Sequence, residues 1–250
     1  SYFEKNNYDK AFFFMEELFK NVSPELILWK DHYYTARILM KKNQGYPKLL
    51  DDLSSSEGQL QKDKSRYSAA SAAEKAKLKP ALDELTARVA KMKSDVVTAE
   101  KELNRGFQEY NKVLEMKPQD RGVISEMASY YNTFRQYDKA AKTMGKLIDP
   151  TKDDYDAYMR VARAFYNGEN YKSADSVLNI VLKKSPDYLP AHLQVARTYY
   201  KMDPDYKMGL ARQKFEKVID IAQADSIKNA AAMYEAMGYL GYYHMSKDNY

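Results

Sequence analysis

Residues 166–174, YNGENYKSA, repeat the pattern of residues 132–140, NTFRQYDKA, at a distance of 34 residues (166 − 132 = 34). In the later stretch the end of one helix is followed by a polar turn, the aromatic Tyr171 and, three places later, the small Ala174. A fixed period of this size is typical of helical arrays, in which no single unit can bury its apolar face alone. The repeat therefore predicts an all-α chain that functions by presenting a surface for binding.

The same pattern recurs along most of the chain. Its aromatic position is occupied by Tyr8, Tyr46, Tyr137, Tyr171 and Tyr250. Around Tyr171 the apolar residues recur on one face of each of two helices, and Pro186 ends the second helix. These apolar residues are Tyr158, Val161, Ala162 and Phe165 in the first helix and Ala174, Leu178 and Val181 in the second. Because Ser1 and Tyr250 both fall inside a repeat, we expect the chain to be a piece of a longer protein.

This helix–turn–helix pattern resembles the tetratricopeptide repeat, whose units are about 34 residues long and carry large, small and aromatic residues at these positions. The resemblance implies a right-handed α-solenoid whose concave inner face is built mainly by the first helix of each pair. It also implies a scaffold that binds a protein or peptide partner. The carboxylate-clamp version of the repeat uses Lys and Asn at positions that hold Met159 and Arg163, or Ser125 and Ser129, in this chain. We therefore do not expect binding of chaperone tails.

One unit is interrupted by an insertion. Its first helix is predicted at 26–42, and its second helix stops after Leu53 and reappears at 106–118. Taking Gly106 in place of Leu49 as the small residue gives an insertion of 57 residues (106 − 49 = 57). The insertion carries a heptad seam of apolar residues: Leu78, Leu82, Leu85, Val89, Met92, Val96, Ala99 and Leu103. This seam predicts an antiparallel helical hairpin, a coiled-coil arm that projects from the solenoid.

The hairpin divides the chain into three predicted parts. These are a solenoid part at 1–53, the arm at 54–103 and the continued solenoid at 104–250. The tip of the arm lies between Ser68 and Pro80, and two positions remain open. Ser71 and Glu74 form a capping box that would start the return helix, whereas Pro80 suits a first helical position or would kink a helix begun at Ser71. The seam is expected to pair within the arm, with a helix of a partner or of a second copy as the alternative.

Composition excludes several classes of function. The chain contains no cysteine, which excludes disulfides, cysteine-based zinc sites and thiol catalysis. Acidic and basic residues are interspersed, so the formal net charge of +5 does not form the basic stripe that nucleic-acid binding needs. No apolar run approaches the roughly 18 residues of a membrane span.

Motifs of enzymes are also missing from the sequence. There is no glycine-rich phosphate loop, nucleophile elbow or paired-histidine metal motif. Asp153 and Asp154 precede a helix, and we interpret them as N-terminal caps rather than as metal ligands. We therefore predict a protein that is not an enzyme and that needs neither a cofactor nor a metal.

Two successive first helices form the predicted partner-binding groove. Its residues are Met159, Arg163, Tyr166, Asn167, Leu193, Arg197, Tyr200 and Lys201. Arg163 and Arg197 are 34 residues apart (197 − 163 = 34), so we expect them side by side on the concave face. Arginine pairs with carboxylates through two hydrogen bonds, and tyrosine offers rigid contact area at low entropic cost. We hypothesise that the groove binds an extended acidic segment or a terminal carboxylate; the alternative is that these side chains only solvate an exposed face.

The preferred interpretation is a protein–protein interaction scaffold, with the arm as a second docking site or as a site of self-association. One alternative is the sensor or regulatory part of a larger protein that carries a catalytic or DNA-binding domain elsewhere. Another is a carbohydrate or small-ligand binder that uses the tyrosine-rich groove for stacking. The composition, rich in Lys, Tyr and Asn, resembles that of bacterial envelope proteins with such repeats, so we expect the periplasm or cell envelope, with the cytoplasm as the alternative. The sequence does not specify the partner or the oligomeric state.

Overall fold

The computed structural model describes residues 2–248, and the repeat aromatic predicted at Tyr250 lies outside them. All regular structure in this range is helical, which confirms the all-α prediction. The α-helices are α1 (Tyr8–Asn21), α2 (Trp29–Lys42), α3 (Tyr46–Ala69), α4 (Ala72–Met116), α5 (Arg121–Thr133), α6 (Tyr137–Gly145), α7 (Tyr155–Asn167), α8 (Tyr171–Lys184), α9 (Leu189–Met202), α10 (Arg212–Ala222) and α11 (Ala230–Asp248). Short 3₁₀ helices lie at Pro24–Leu26 and Gln223–Asp225. The chain forms two compact units, one up to Val123 and one from Ile124 onward.

In the second unit, each helix from α6 to α11 packs against the next, and α7 also contacts α9. This is the packing of an α-solenoid, in which first helices lie beside one another and each second helix covers its own first helix. Ala162 and Ala196 of the first helices and Ala174 of a second helix are fully buried. Alanines at these positions allow close approach of the helix backbones, while Leu178 and Val181 fill the space between them.

Three turns of the repeat pattern share one backbone geometry. Three residues with positive φ angles of 54°, 59° and 58° each lie two places before the repeat aromatic: Asn6, Arg135 and Glu169. In each turn the following N–H donates to the carbonyl five residues earlier, as Asn170 does to Phe165 at 2.9 Å. This is the Schellman motif, which satisfies carbonyl groups that the end of a helix leaves without a partner. The repeat therefore extends to the hydrogen bonds of its turns.

In the first unit, α2 packs against α1 and against the C-terminal part of α4. A Cβ atom built on Gly106 would lie 2.5 Å from Cε of Met40 and 3.2 Å from Cβ of Leu39, so the two helices approach at a residue without a side chain. A buried polar pair joins the same helices, with Nδ1 of His32 and Oε2 of Glu109 2.5 Å apart. The C-terminal part of α4 thus covers α2 as a second helix would.

Helices α3 and α4 form an antiparallel hairpin, because they are packed against each other and joined by a connection of two residues. Ser71 caps α4: its Oγ accepts from Glu74 N at 3.4 Å, and its own N–H donates to the Glu74 carboxylate at 3.0 Å. Pro80 lies inside α4 and does not begin it, so the capping box determines the tip. Since α3 and α4 are continuous through residues 53 and 103, no helix end marks the predicted three-part division, which remains a prediction.

Candidate groove on the first helices

Helix α7 carries half of the predicted groove residues, and its start is fixed by a side-chain cap. Oδ1 of Asp154 accepts a hydrogen bond from the N–H of Ala157 at 2.9 Å. This cap satisfies one of the N–H groups that a helix leaves without a partner in its first turn. The interpretation of Asp154 as a capping residue is confirmed, and the register of the groove residues follows from this start.

The prediction that Met159 faces the groove is wrong. Its side chain is 3% exposed and belongs to the core formed with Tyr158, Ala162 and Leu178. Because α7 is contacted by α6, α8 and α9, its buried face is wider than the stripe that covers a single partner helix. Leu193, one period later, is half-buried and packs against the core of α9, α10 and α11. Both apolar groove residues therefore contribute to packing.

Arg197 is already paired with a carboxylate of the same chain. Its Nε and Nη2 atoms donate to the two carboxylate oxygens of Glu235 in α11, each at 2.6 Å. This two-point geometry is the strongest arrangement open to an arginine and a carboxylate, and the hydrogen bond to Glu235 raises the pKa of Arg197. Arg197 thus links two successive first helices, and it does not present an open site for a partner carboxylate.

Glu235 was not among the predicted site residues, although the sequence contains a signal for it. Glu235 is the one Asp, Glu, Lys or Arg residue in the stretch 230–246, AAAMYEAMGYLGYYHMS. A lone charge on an otherwise apolar helix needs a partner of opposite sign if it is to be half-buried. The nearest arginine in the preceding first helix is Arg197.

The two tyrosines of the groove make contacts within the protein. Tyr166 is half-buried. Burial raises the pKa of the Tyr166 hydroxyl, and the nearby Tyr171 raises it further. Arg197 and Glu235 also act on it electrostatically, so these groups share one neighbourhood. Tyr200 stacks on Tyr206 with ring centroids 5.8 Å apart and contacts Tyr239 edge to face at 5.6 Å. The face that was expected to be open at Tyr200 is therefore partly used in aromatic packing.

The remaining groove residues, Arg163, Asn167 and Lys201, are exposed. Within residues 2–248, no hydrogen bond or ion pair engages their side chains. Arg160, which was not among the predicted groove residues, is exposed and unpaired in the same range and lies one helical turn before Arg163. Helix α7 thus presents two guanidinium groups on neighbouring positions.

A small cavity with both polar and apolar lining lies beside Arg160. It has a volume of about 290 Å³ and is lined by Ser125, Ala128, Ser129, Asn132, Met144, Leu147, Ala157 and Arg160. Three of the lining residues belong to α5: Ser125, Ser129 and Asn132. Each precedes its counterpart in α7, namely Met159, Arg163 and Tyr166, by one repeat period of 34 residues (159 − 125 = 34). The cavity is large enough for one side chain, and its hydroxyl, amide and guanidinium groups can donate hydrogen bonds to it.

The part of the chain that the structure describes offers no group of three or more His, Asp or Glu side chains that could hold a metal ion. None of its helices combines the length and the apolar character that crossing a bilayer would require.

Comparison with known proteins gives one family match. Residues 156–188, which cover most of α7 and all of α8, match the model of the tetratricopeptide repeat family. No curated protein matches the sequence. Among solved structures, the chain is similar to the C-terminal part of a TPR repeat-containing protein from Cytophaga hutchinsonii, with 23% identity over 98% of this chain and 85% of that chain and a TM-score of 0.48.

Two further solved structures are similar at lower identity. MamA is 16% identical over 61% of this chain and 92% of its own, with a TM-score of 0.37. The TPR2AB domain of yeast Sti1, in its complex with pHSP90, is 13% identical over 98% of this chain and 94% of its own, with a TM-score of 0.37. At these identities and scores the likenesses carry no argument about function. Residues 156–188 are thus similar to a tetratricopeptide repeat, and turns of the same shape recur elsewhere in the chain.

Proposed function

We propose that this chain is a non-enzymatic scaffold whose first helices, from Ile124 onward, bind an extended acidic segment of a partner protein. The observation that carries the proposal is the pair of exposed guanidinium groups of Arg160 and Arg163 on α7, neither of which is paired within residues 2–248. Arginines fixed one turn apart on a rigid helix favour carboxylate groups, because each can donate two hydrogen bonds to one carboxylate.

The binding site is centred on α7 rather than on α9. A partner carboxylate at α9 would have to displace Glu235 from Arg197, where both hydrogen bonds are already made. At α7 no such displacement is needed. The cavity whose polar lining is Ser125, Ser129 and Asn132 lies next to Arg160 and offers a place for one side chain or a chain terminus.

The exposed side chains of Asn167 and Lys201 extend the same surface and suit a polar partner segment. Tyr166, half-buried between Arg197 and Tyr171, offers part of its ring as contact area. A charged rim around a limited apolar area is typical of surfaces that bind peptides transiently. We therefore propose a partner segment with acidic residues and few large apolar residues.

Labelled peptides of matched sequence test this proposal. One series carries Glu where the other carries Gln, and each is made with a free and with an amidated C-terminus. We expect binding by the Glu peptides or by those with a free terminus. The double variant Arg160→Ala/Arg163→Ala should weaken that binding by about 10- to 100-fold, since hydrogen bonds to charged groups contribute about 1.5–3 kcal/mol.

Arg212→Ala is the matched control, because Arg212 is an exposed arginine of a second helix that is paired with Glu216. It should leave the peptide affinity unchanged. Equal affinity of the Arg160→Ala/Arg163→Ala variant and the unsubstituted chain for the same peptides would contradict the proposed site.

A further inference from the structure

The positive charge of the chain is concentrated at the tip of the arm. Residues 61–80 contain six basic and two acidic side chains, which gives this segment a net charge of +4. All other residues together contain 34 basic and 33 acidic side chains (40 − 6 = 34 and 35 − 2 = 33) and carry a net charge of only +1. We call residues 61–80 the basic tip. Its basic residues are Lys62, Lys64, Arg66, Lys75, Lys77 and Lys79.

Both acidic residues of the basic tip are engaged in local hydrogen bonds. Asp63 is half-buried, and its Oδ1 accepts a hydrogen bond from Nε2 of Gln59 at 2.9 Å. The carboxylate of Glu74 accepts from the hydroxyl of Ser71 at 2.8 Å and from its N–H at 3.0 Å. The hydrogen bonds from Ser71, and to a lesser extent the nearby Arg66, lower the pKa of Glu74. The two carboxylates thus support the start of α4 and the end of α3.

Most of the basic side chains of the tip can reach a partner. Lys62, Lys64 and Lys77 are exposed, and no hydrogen bond or ion pair engages them in the part of the chain that the structure describes. Lys79 is also exposed and pairs with Asp83 in the next turn of α4. Because surface pairs of this kind contribute little free energy, Lys79 can exchange its partner at low cost.

The basic tip lies far from the packed part of the first unit. Helix α4 is continuous from Ala72 to Gly106, where it packs on α2. At 1.5 Å per residue, this length (106 − 72 = 34 residues) places the tip about 50 Å from that contact along the helix. No residue from 61 to 80 is fully buried. The end of the arm is therefore accessible from several sides.

The side chains at the end of the arm are small, so the cations around it extend farthest. Residues 68–73 read SAASAA, and no large apolar side chain of the basic tip is exposed. A cleft of about 350 Å³ is lined by Arg66 of α3 and Lys77 of α4, together with Ala69, Ala70, Glu74 and Leu78. Lys64, two residues before Arg66, lies on a different side of α3. The positive charges thus surround the end of the arm.

We propose that the basic tip binds end-on to a surface of anionic lipid headgroups. Cations that surround the end of an arm can approach a flat anionic surface together, whereas a peptide segment would contact one side of the arm at a time. Each Lys or Arg near such a surface strengthens binding roughly fivefold. Because the tip exposes no large apolar side chain, the attachment is electrostatic and reversible. This inference goes beyond the proposed function and rests on different residues.

The basic tip lacks the groups that nucleic-acid binding uses. Tyr67 is its one aromatic residue. Tyr67 is half-buried, and the ammonium group of Lys75 lies over its ring, 5.9 Å from the ring centroid. This ring is therefore not open for stacking on bases. The charges also surround the end of the arm, whereas nucleic acids favour a basic stripe along one face. A lipid surface is the partner that these observations favour.

Co-sedimentation of the 250-residue chain with vesicles is the first test. One set of vesicles consists of phosphatidylcholine, and the other contains phosphatidylcholine and phosphatidylglycerol in equal parts. We expect binding only to the second set. This binding should be lost in about 1 M salt, where the screening length falls to about 3 Å. Soluble glycerol phosphate should not displace the chain, because single phosphate groups do not engage several cations at once.

The variant Lys62→Gln/Arg66→Gln/Lys77→Gln should bind the anionic vesicles about 100-fold more weakly. All three side chains are exposed and glutamine is a good helix former, so the variant should fold, which circular dichroism checks. The matched control removes three exposed lysines from α8 and α10 and lowers the net charge equally: Lys172→Gln/Lys183→Gln/Lys217→Gln. The control should bind as the unsubstituted chain does.

A fluorescent label tests the end-on orientation. Because the chain contains no cysteine, Ala73→Cys at the tip and Val97→Cys farther along the arm each create a single labelling site for an environment-sensitive dye. Both positions are exposed. We expect anionic vesicles to change the emission of the dye at position 73 and to leave the emission at position 97 unchanged.

Four results would overturn the proposal. The unsubstituted chain could ignore anionic vesicles, or the tip variant and the charge-matched control could bind them equally. The dye could respond equally at both positions. Double-stranded DNA, compared at the same concentration of phosphate groups, could bind the tip more tightly than the vesicles do, which would assign the basic tip to nucleic acid. The Arg160→Ala/Arg163→Ala variant should bind vesicles normally, so this test is independent of the proposed groove.

Discussion

At the scale of single residues, Asp203 organises the turn between α9 and α10, which is longer than the other turns of the repeat. Its buried carboxylate accepts hydrogen bonds from the N–H groups of Met208 at 3.0 Å and Leu210 at 3.3 Å. Burial alone would raise the pKa of Asp203, but these backbone donors outweigh it and lower the pKa. Gly209 in the same turn has a φ angle of 65°, and a Cβ atom there would lie 2.9 Å from the hydroxyl of Tyr243.

Asp203→Asn should lower the free energy of unfolding by roughly 1–2 kcal/mol at neutral pH, because a neutral acceptor makes weaker hydrogen bonds than a carboxylate. The pKa of Asp203 is lower in the folded state than its ordinary value of about 3.9, so the ionised group stabilises the fold above that pH. This contribution is lost as the pH falls through the lower folded pKa. Urea unfolding at pH 7 and at acid pH should therefore give a difference between variant and unsubstituted chain that shrinks in acid.

Asp205→Asn is the control for this prediction, since Asp205 lies in the same turn, is exposed and pairs with Lys207. Surface pairs of this kind contribute little to stability, so its unfolding should resemble that of the unsubstituted chain at both pH values. An equal effect of the two substitutions would refute the role assigned to Asp203.

The roles of single residues were predicted unevenly by the sequence. Asp154 caps α7 as expected, because a cap is a local interaction between residues close in the chain. The pair of Arg197 and Glu235 was not predicted, since it joins residues 38 apart across two first helices (235 − 197 = 38). The repeat pattern indicates which side chains share a face, but it does not specify which of them form ion pairs with each other.

At the scale of elements, the packing of α2 on α4 depends on the missing side chain at Gly106. Gly106→Leu should lower the free energy of unfolding by about 1–3 kcal/mol, because Leu39 and Met40 occupy the space that the new side chain needs. Leucine is a better helix former than glycine, so any loss of stability can be assigned to packing. Chemical denaturation measured by circular dichroism gives the comparison.

Gly58 in α3 provides the matched control, because a Cβ atom built there meets nothing within 4 Å. Gly58→Ala should raise stability by about 0.5–1 kcal/mol, since alanine restricts the unfolded chain and favours the helix. If Gly106→Leu also stabilised the protein, the close approach of α2 and α4 would not be a constraint on the fold.

The arm shows where sequence signals for elements are sufficient and where they conflict. The heptad seam predicts the hairpin, and its residues Leu85, Val89 and Leu103 are buried. Two signals for the start of α4, at Ser71 and at Pro80, lie close together in the sequence. The sequence alone does not decide between them. The structure begins α4 with the capping box because this satisfies two backbone groups, while Pro80 costs one hydrogen bond inside a helix that packing on α3 supports.

At the scale of the whole molecule, burial is distributed unevenly along the arm. The fully buried residues of α4 that anchor it, including Leu103, Phe107 and Val113, lie toward its C-terminal end. Residues near the tip, from 61 to 80, are exposed or half-buried. Local opening requires less free energy where fewer apolar groups are buried.

Amide hydrogen exchange followed by mass spectrometry should therefore show a gradient along the arm. Peptides from residues 61–80 should exchange early, and those from residues 99–113 should be among the slowest in the protein. Peptides from α8, which is buried at Ala174, Leu178 and Val181, serve as the internal reference for slow exchange. Equal protection at the tip and at 99–113 would show that the arm is stabilised by contacts other than those described.

For the molecule as a whole, the 34-residue period predicted the helix pairs, because small residues and aromatic residues recur wherever helices must approach. The same period did not predict the burial of Met159, because that burial depends on contacts of α7 with three helices at once. A pattern read along one helix describes one packed face. The width of the buried face depends on how many helices surround the helix. The sequence of the helix does not specify the number of these neighbours.

The shared geometry of the turns at Asn6, Arg135 and Glu169 has a consequence for how such a chain changes over evolution. A gene duplication or deletion of one 34-residue block would break and rejoin the chain between connections of the same shape. The new junction would then need no new kind of backbone conformation, and each added block would find the same neighbours. A block gained or lost between two of these three turns would therefore leave a junction whose backbone shape the chain already uses.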